Sequence, residues 1–167
     1  GPMYPERLQK FMEQIHAKYP KIKICGSSGP SADGKDFDYG WEQMRKLGVD
    51  MVDEHYYKSP EWFRSNASRY DKYDRKGPKV FAGEYAAHAE NDPNSWEAAL
   101  SEAAFMTGLE RNADVVYQAT YAPLFAHVEG WQWRPDLIWF DNLSSVRSAN
   151  YYVQQLYGEN KGTNVLK

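Results

Sequence analysis

Four short apolar runs, each ending in polar residues and each followed by a helix-forming segment, set the tightest limit on how this chain folds. They are KIKIC at 21–25, VDMVDEHYY at 49–57, KVFAGEYA at 79–86 and DVVYQATYA at 114–122. Runs of this length read as strands, and their nearly continuous apolar character predicts burial on both faces. Strands buried in that way are parallel and covered by helices.

The intervening segments fit that expectation. Leu8, Phe11, Met12 and Ile15 recur at helical spacing, so residues 5–18 read as a leading amphipathic helix ending near Tyr19-Pro20. GSSGPSADG at 26–34 reads as a loop, and Trp41, Met44 and Leu47 share one helical face before a C-capping Gly48. Ser59-Pro60 supplies a cap and first-turn proline for a helix over 60–75, closed by Gly77-Pro78. Ser95 caps a helix with Trp96, Ala99, Leu100, Ala103 and Thr107 on one side. LIWF at 137–140 reads as a short extra strand. Ser145 opens a last helix with Val146, Ala149, Val153 and Leu156 inward, ending at Gly158.

The order is therefore one helix and then four strand–helix units, an α/β chain with a parallel sheet. Four units cannot close an eight-stranded barrel; a small doubly wound sheet is the alternative. No G-x-G-x-x-G follows any strand, which removes support for the dinucleotide-binding form of that sheet.

Composition narrows the function classes. Net charge is −3 with both signs interspersed and no basic stripe, which disfavours nucleic acid as a partner. A single cysteine, Cys25, cannot form an internal disulfide or a cysteine zinc site. No stretch has the length of a membrane span, and none reads as a signal peptide. Gly1-Pro2 reads as a scar of protease cleavage, so the missing signal says little about compartment. Aromatic residues make up 16% of the chain, a proportion that serves either a bulky core or a sugar-stacking surface.

The polar strand ends carry the chemistry. The second strand ends Asp53-Glu54-His55-Tyr56-Tyr57, the third Gly83-Glu84-Tyr85, and the fourth Gln118-Ala119-Thr120-Tyr121. These ends gather at the C-terminal rim of a parallel sheet, where α/β folds keep their sites. A carboxylate closing an apolar strand, as Glu84 does, is costly to bury unless it is paired or used.

Three stretches make the reading more specific: DEHYYKSPEWF at 53–63, KVFAGEYAAH at 79–88, and the run from SWEAALSEAAFMTGLERNADVV at 95–116 to TYAPLFAHVEGWQWRPDLIWFDN at 120–142. Over nearly its whole length the chain resembles the α-L-arabinofuranosidases of glycoside hydrolase family fifty-one. The resemblance implies a retaining glycosidase on a (β/α)8 barrel, releasing terminal arabinofuranose from arabinan and arabinoxylan without a cofactor or metal. It implies that Glu84, in the family's G-E-[YW] setting at the end of barrel strand seven, is the nucleophile. His55 and Tyr57 match the H-Y-Y motif that contacts sugar and nucleophile. Tyr85, Thr120 and Tyr121 fall where the rim meets the sugar, and Trp131 and Trp133 are candidate stacking surfaces, with plain packing the competing reading.

The family's acid/base glutamate lies in an N-E motif after strand four, and no such dipeptide follows a strand here; Glu159-Asn160 is reversed and follows a helix. The resemblance thus implies that residues 3–160 are the C-terminal half of the barrel, strands five to eight, with 161–167 starting a linker to a β-sandwich domain. Such a half-barrel would hold the nucleophile, lack the acid/base and be silent alone, and its open edges invite pairing with a second copy. Two other classes compete. One is a metal-dependent hydrolase using His55, Glu84, His88 and His127. The other is a non-catalytic carbohydrate-binding or self-assembling half-barrel.

Overall fold

A computed structural model describes residues 3–90 and 93–165; the Gly1-Pro2 pair and the end of the expected linker lie outside them. Helix α1 (Met3–Lys18) leads into β1 (Cys25–Ser27), α2 (Lys35–Leu47), β2 (Met51–Lys58) and α3 (Pro60–Ser65), then a 3-10 turn at Arg69–Lys72. There follow β3 (Lys79–Ala87), α4 (Trp96–Arg111), β4 (Val116–Tyr121), β5 (Phe125–His127), β6 (Ile138–Phe140), β7 (Ser145–Arg147) and α5 (Ala149–Glu159). Strands β1 to β4 form one parallel sheet in chain order, as the alternation of apolar runs and helices predicts. Strands β5 to β7 form a second small sheet, parallel between β5 and β6 and antiparallel between β6 and β7.

Local chemistry fixes the boundaries. Ser59 accepts a hydrogen bond from the Trp62 amide with Pro60 in the first turn, and Ser95 accepts one from the Ala98 amide. Gly48 ends α2 in the left-handed region at φ 68°, where a side chain is disfavoured. Three expected elements differ. KIKIC is not a strand over its length: Asp50 takes the Lys23 ammonium and the Ile24 amide at 2.8 Å each, and the ladder starts only at Cys25. The helix expected over 60–75 ends at Asn66, whose backbone and side-chain amides both donate to the Trp62 carbonyl, and a separate 3-10 turn begins only at Arg69. The last helix starts after Ser148, because Ser145–Arg147 is committed to the ladder with β6. Val146, on that strand, and Leu156, within the helix, are both exposed, not inward.

The core lies on one face of the sheet. Val52, Glu54 and Tyr56 of β2 and Val80, Ala82 and Tyr85 of β3 are fully buried there beneath Trp41 of α2, Phe63 of α3 and Phe105 of α4. Tyr56 stacks on Trp62 at 5.7 Å, and Phe63 meets Phe105 edge to face at 5.2 Å. Much of the aromatic excess is therefore core. Burial of both sheet faces, expected from the apolar runs, is not what the chain shows. Met51, Asp53, His55 and Tyr57 are half-buried, and Tyr117 to Thr120 of β4 are exposed.

Candidate active site

A parity change in β3 creates the site. Val80 and Ala82 point into the core, so strict alternation would send Glu84 there too. Instead the β2–β3 register shifts by one between Glu54 and His55: Glu54 pairs with Ala82, but His55 pairs with Glu84. Gly83 is the extra residue, and the bulge turns Glu84 to the open face while Tyr85 goes into the core. Re-aiming a side chain is what a bulge at a strand end achieves.

Neighbours on β2 then converge on Glu84. The Tyr57 hydroxyl donates to Glu84 Oε2 at 2.9 Å, and His55 Nδ1 lies 3.4 Å from the same oxygen. On its other side His55 Nε2 bonds to Asp53 Oδ2 at 2.8 Å. Chiefly through that hydrogen bond, and despite desolvation, the His55 pKa is raised above its ordinary value. Burial, followed by the hydrogen bond to Glu84, pushes the Tyr57 phenol far up, so it remains a donor throughout the neutral range. The Glu84 side chain stays 44% exposed, more open than His55 at 19%. A carboxylate held by a phenol and an imidazole, with an accessible oxygen, is equipped to act as a nucleophile or base.

The remaining candidates separate. Tyr85 is fully buried behind the sheet and donates to Gln154 Oε1 of α5 at 2.7 Å, so it is not brought to the open face with Glu84. Tyr121 is buried against Tyr85, ring centroids 5.9 Å apart. The exposed Thr120 hydroxyl donates to the Gly83 carbonyl at 2.7 Å, holding the bulge. Trp131 and Trp133 are exposed in the segment between β5 and β6; the Arg134 guanidinium covers Trp131 at 4.3 Å, and Trp133 carries no such cover among the described residues.

The metal reading finds no cluster. His88 packs its ring 5.4 Å from Tyr57, while His127 lies against Phe140 at 5.3 Å. No group of three or more histidine, cysteine or carboxylate side chains is arranged for a metal ion among the described residues. Two residues that shape the site, Asp53 and Gly83, lie outside the site residues that the sequence points to. Asp53 had a signal, its i, i+2 spacing from His55, which puts both on one strand face. The bulge at Gly83 had only the glycine itself as a signal.

Fold and site together define a parallel α/β protein with a carboxylate site at its strand ends. The model of the α-L-arabinofuranosidase C-terminal domain matches residues 62–167, and that of the α-L-arabinofuranosidase 1 domain matches residues 1–75. The chain belongs to the α-L-arabinofuranosidases of glycoside hydrolase family 51. An extracellular exo-α-L-arabinofuranosidase of Streptomyces chartreusis is 55% identical over 161 residues, 96% of this chain and 19% of that protein. α-L-Arabinofuranosidase 1 of Arabidopsis thaliana is 35% identical over 157 residues, 93% of this chain and 22% of that protein. An arabinose-bound family 51 α-L-arabinofuranosidase, MgGH51, superposes with a TM-score of 0.81 at 37% identity, covering 95% of this chain and 26% of that one. The Thermotoga maritima α-L-arabinofuranosidase shares the fold, with a TM-score of 0.65 at 14% identity over 92% of this chain and 34% of that one. The chain thus spans about a fifth to a quarter of the length of the curated relatives it matches.

Proposed function

We propose that this chain is the nucleophile-bearing part of a retaining α-L-arabinofuranosidase that releases terminal arabinofuranosyl residues from arabinan and arabinoxylan. The observation that carries the proposal is the convergence of His55 and Tyr57 on Glu84 at the end of β3. Family membership and the names of the relatives support the substrate class. The four parallel strands in chain order suit the second half of a (β/α)8 barrel, strands five to eight.

In this reading a Glu84 oxygen attacks the anomeric carbon and displaces the aglycone oxygen, which takes a proton from a second carboxyl about 5–5.5 Å away. That acid comes from a segment other than residues 1–167. Water, deprotonated by the same group, then cleaves the glycosyl ester and frees Glu84. Tyr57 holds one carboxylate oxygen and restrains the side chain for in-line attack. His55, fixed by Asp53, borders the same oxygen on the other side. Exposed Trp133, and Trp131 beyond Arg134, offer flat surfaces for the departing sugar chain.

The test uses a protein of the relatives' length that carries this chain, incubated with a 2-fluoro-arabinofuranosyl mechanism-based inactivator. Peptide mass spectrometry is expected to find the glycosyl ester on Glu84. In the Glu84→Ala variant, azide is expected to restore turnover of an activated aryl arabinofuranoside, giving the inverted glycosyl azide. An ester on another carboxylate, or near-normal activity of the variant without azide, would overturn the proposal.

A further inference from the structure

Glu54 lies on the opposite strand face from His55, fully buried, at the last paired position before the register shift. A buried carboxylate needs partners, and Glu54 has five donors. Trp41 Nε1 of α2 donates at 2.7 Å, the Tyr70 and Tyr73 hydroxyls at 2.8 Å each, and the Tyr56 hydroxyl donates as well. Arg69 Nε completes the set at 3.4 Å. Three of these residues, Arg69, Tyr70 and Tyr73, sit in or beside the 3-10 turn, and Trp41 comes from α2. One side chain therefore ties two outer elements to one point on β2.

That point is where the parity of β3 changes. A strand pair can slide back into regular alternation only if both strands move past each other, which here would return Glu84 toward the core and expel Tyr85. Gly83 is held on the β3 side by the Thr120 hydroxyl on its carbonyl. The β2 side has Glu54. We propose that Glu54 is a positioning residue: its buried hydrogen-bonded carboxylate locks the register at the Gly83 bulge and so holds Glu84 on the open face against His55 and Tyr57. This deepens the reading of Glu84 as nucleophile, and only its kinetic consequence rests on that reading.

The primary test is cross-strand NMR in the 167-residue chain. In Glu54→Gln, nuclear Overhauser effects from the His55 and Tyr57 rings to the Glu84 methylenes are expected to fall below half, while those between Val52 and Val80 persist. Phe63→Leu, a core change outside the network, controls for destabilisation alone and is expected to leave all of them intact. Should Glu54→Gln not fold, Tyr73→Phe and Trp41→Phe each remove one donor and keep the carboxylate; a partial weakening of the Glu84 effects is expected in both. Unchanged Glu84 effects in every folded variant would overturn the proposal, as would equal weakening in Phe63→Leu. In a protein of the relatives' length, Tyr73→Phe is expected to lower kcat about 3- to 10-fold with KM within about twofold. Weakened Overhauser effects with an unaltered kcat would leave the register role standing and tell against Glu84 as nucleophile.

Discussion

The α-carbon of Gly83 faces the carboxylate of Asp53 so closely that a methyl group there would overlap Asp53 Oδ1. The same aspartate holds His55 in place, so the glycine before Glu84 makes room for the residue that orients its neighbour.

Gly83→Ala is therefore expected to damage the site as well as the fold. Asp53 must rotate away from His55 or β3 must shift, and overpacking of this kind costs roughly 1–3 kcal/mol. Thermal denaturation is expected to show a lowered Tm, and the 15N shifts of His55 a weakened bond at Nε2. A variant with unchanged Tm and an unchanged His55 spectrum would contradict the close approach.

Tyr57→Phe removes one hydroxyl and little else. A hydrogen bond to a charged group contributes about 1.5–3 kcal/mol, so kcat in a protein of the relatives' length is expected to drop about 10- to 100-fold. The half-buried ring keeps its packing against His88, so Tm is expected to fall by only the roughly 3–12 °C that the lost hydrogen bond accounts for. A large stability loss with unaltered kcat would make Tyr57 a packing residue.

Asp53→Asn probes the histidine. With Asp53 as the main cause of its raised pKa, the imidazolium is stabilised by folding, and that contribution is present below 6.5 and lost as pH rises through the folded value. The amide variant keeps the shape and removes the charge. NMR titration is expected to move the His55 pKa downward, because burial and desolvation, which lower it, then go largely unopposed. An unmoved titration would assign the shift to Glu84 instead.

How much of this was legible in the sequence differs by element. The long strands β2 and β3 were readable because each is a run of apolar and β-branched or aromatic residues flanked by Ser-Pro, Gly-Pro or Gly signals. The short ends were not: what replaces the ladder at Lys23 and Ile24 is an aspartate distant in sequence, and the helix ends at Asn66 in a stretch that no glycine or proline marks. Glu84, His55 and Tyr57 could be named from their strand ends. That Tyr85 turns inward could not, since the parity of β3 reverses at a bulge that alternation alone does not announce. Glu54, next to His55, falls on the other strand face by alternation, but its five donors come from three separate segments.

Association through the sheet is a fourth expectation. Strands β1 and β4 are the outer strands of the parallel sheet, and Tyr117 on β4 is exposed, as are Leu124, Phe125, Val146 and Leu156 beyond it. Unpaired edges beside exposed apolar side chains favour pairing between copies. Light scattering of the 167-residue chain is expected to give a mass above 19.3 kDa that falls on dilution, and the same sample is expected to show no turnover of an aryl arabinofuranoside. A clean monomer would remove the association claim, and measurable turnover would remove the claim that the acid/base lies elsewhere.

The last expectation concerns Glu102 of α4, buried behind the end of β3. Its Oε1 accepts the Ala87 amide at 2.7 Å, three residues beyond Glu84, while Oε2 has no hydrogen-bond partner among the described residues. Asn150 of α5 lies beside it, and Tyr85 and Tyr121 face it; none of these is cationic. Burial therefore dominates and pushes the Glu102 pKa up to about 8 from 4.5. The folded chain holds this proton where the unfolded chain releases it, so the contribution to stability is complete below 4.5 and is lost as pH rises through about 8. Over that window the loss is on the order of a few kcal/mol. Glu102→Gln keeps an acceptor for the Ala87 amide and has no proton to lose. Urea denaturation at pH 5 and pH 9 is expected to show wild type weakening more steeply than the variant, and the variant the more stable of the two at pH 9. Parallel pH dependence in the two proteins would mean that Glu102 is paired or hydrated in solution and ionises without cost.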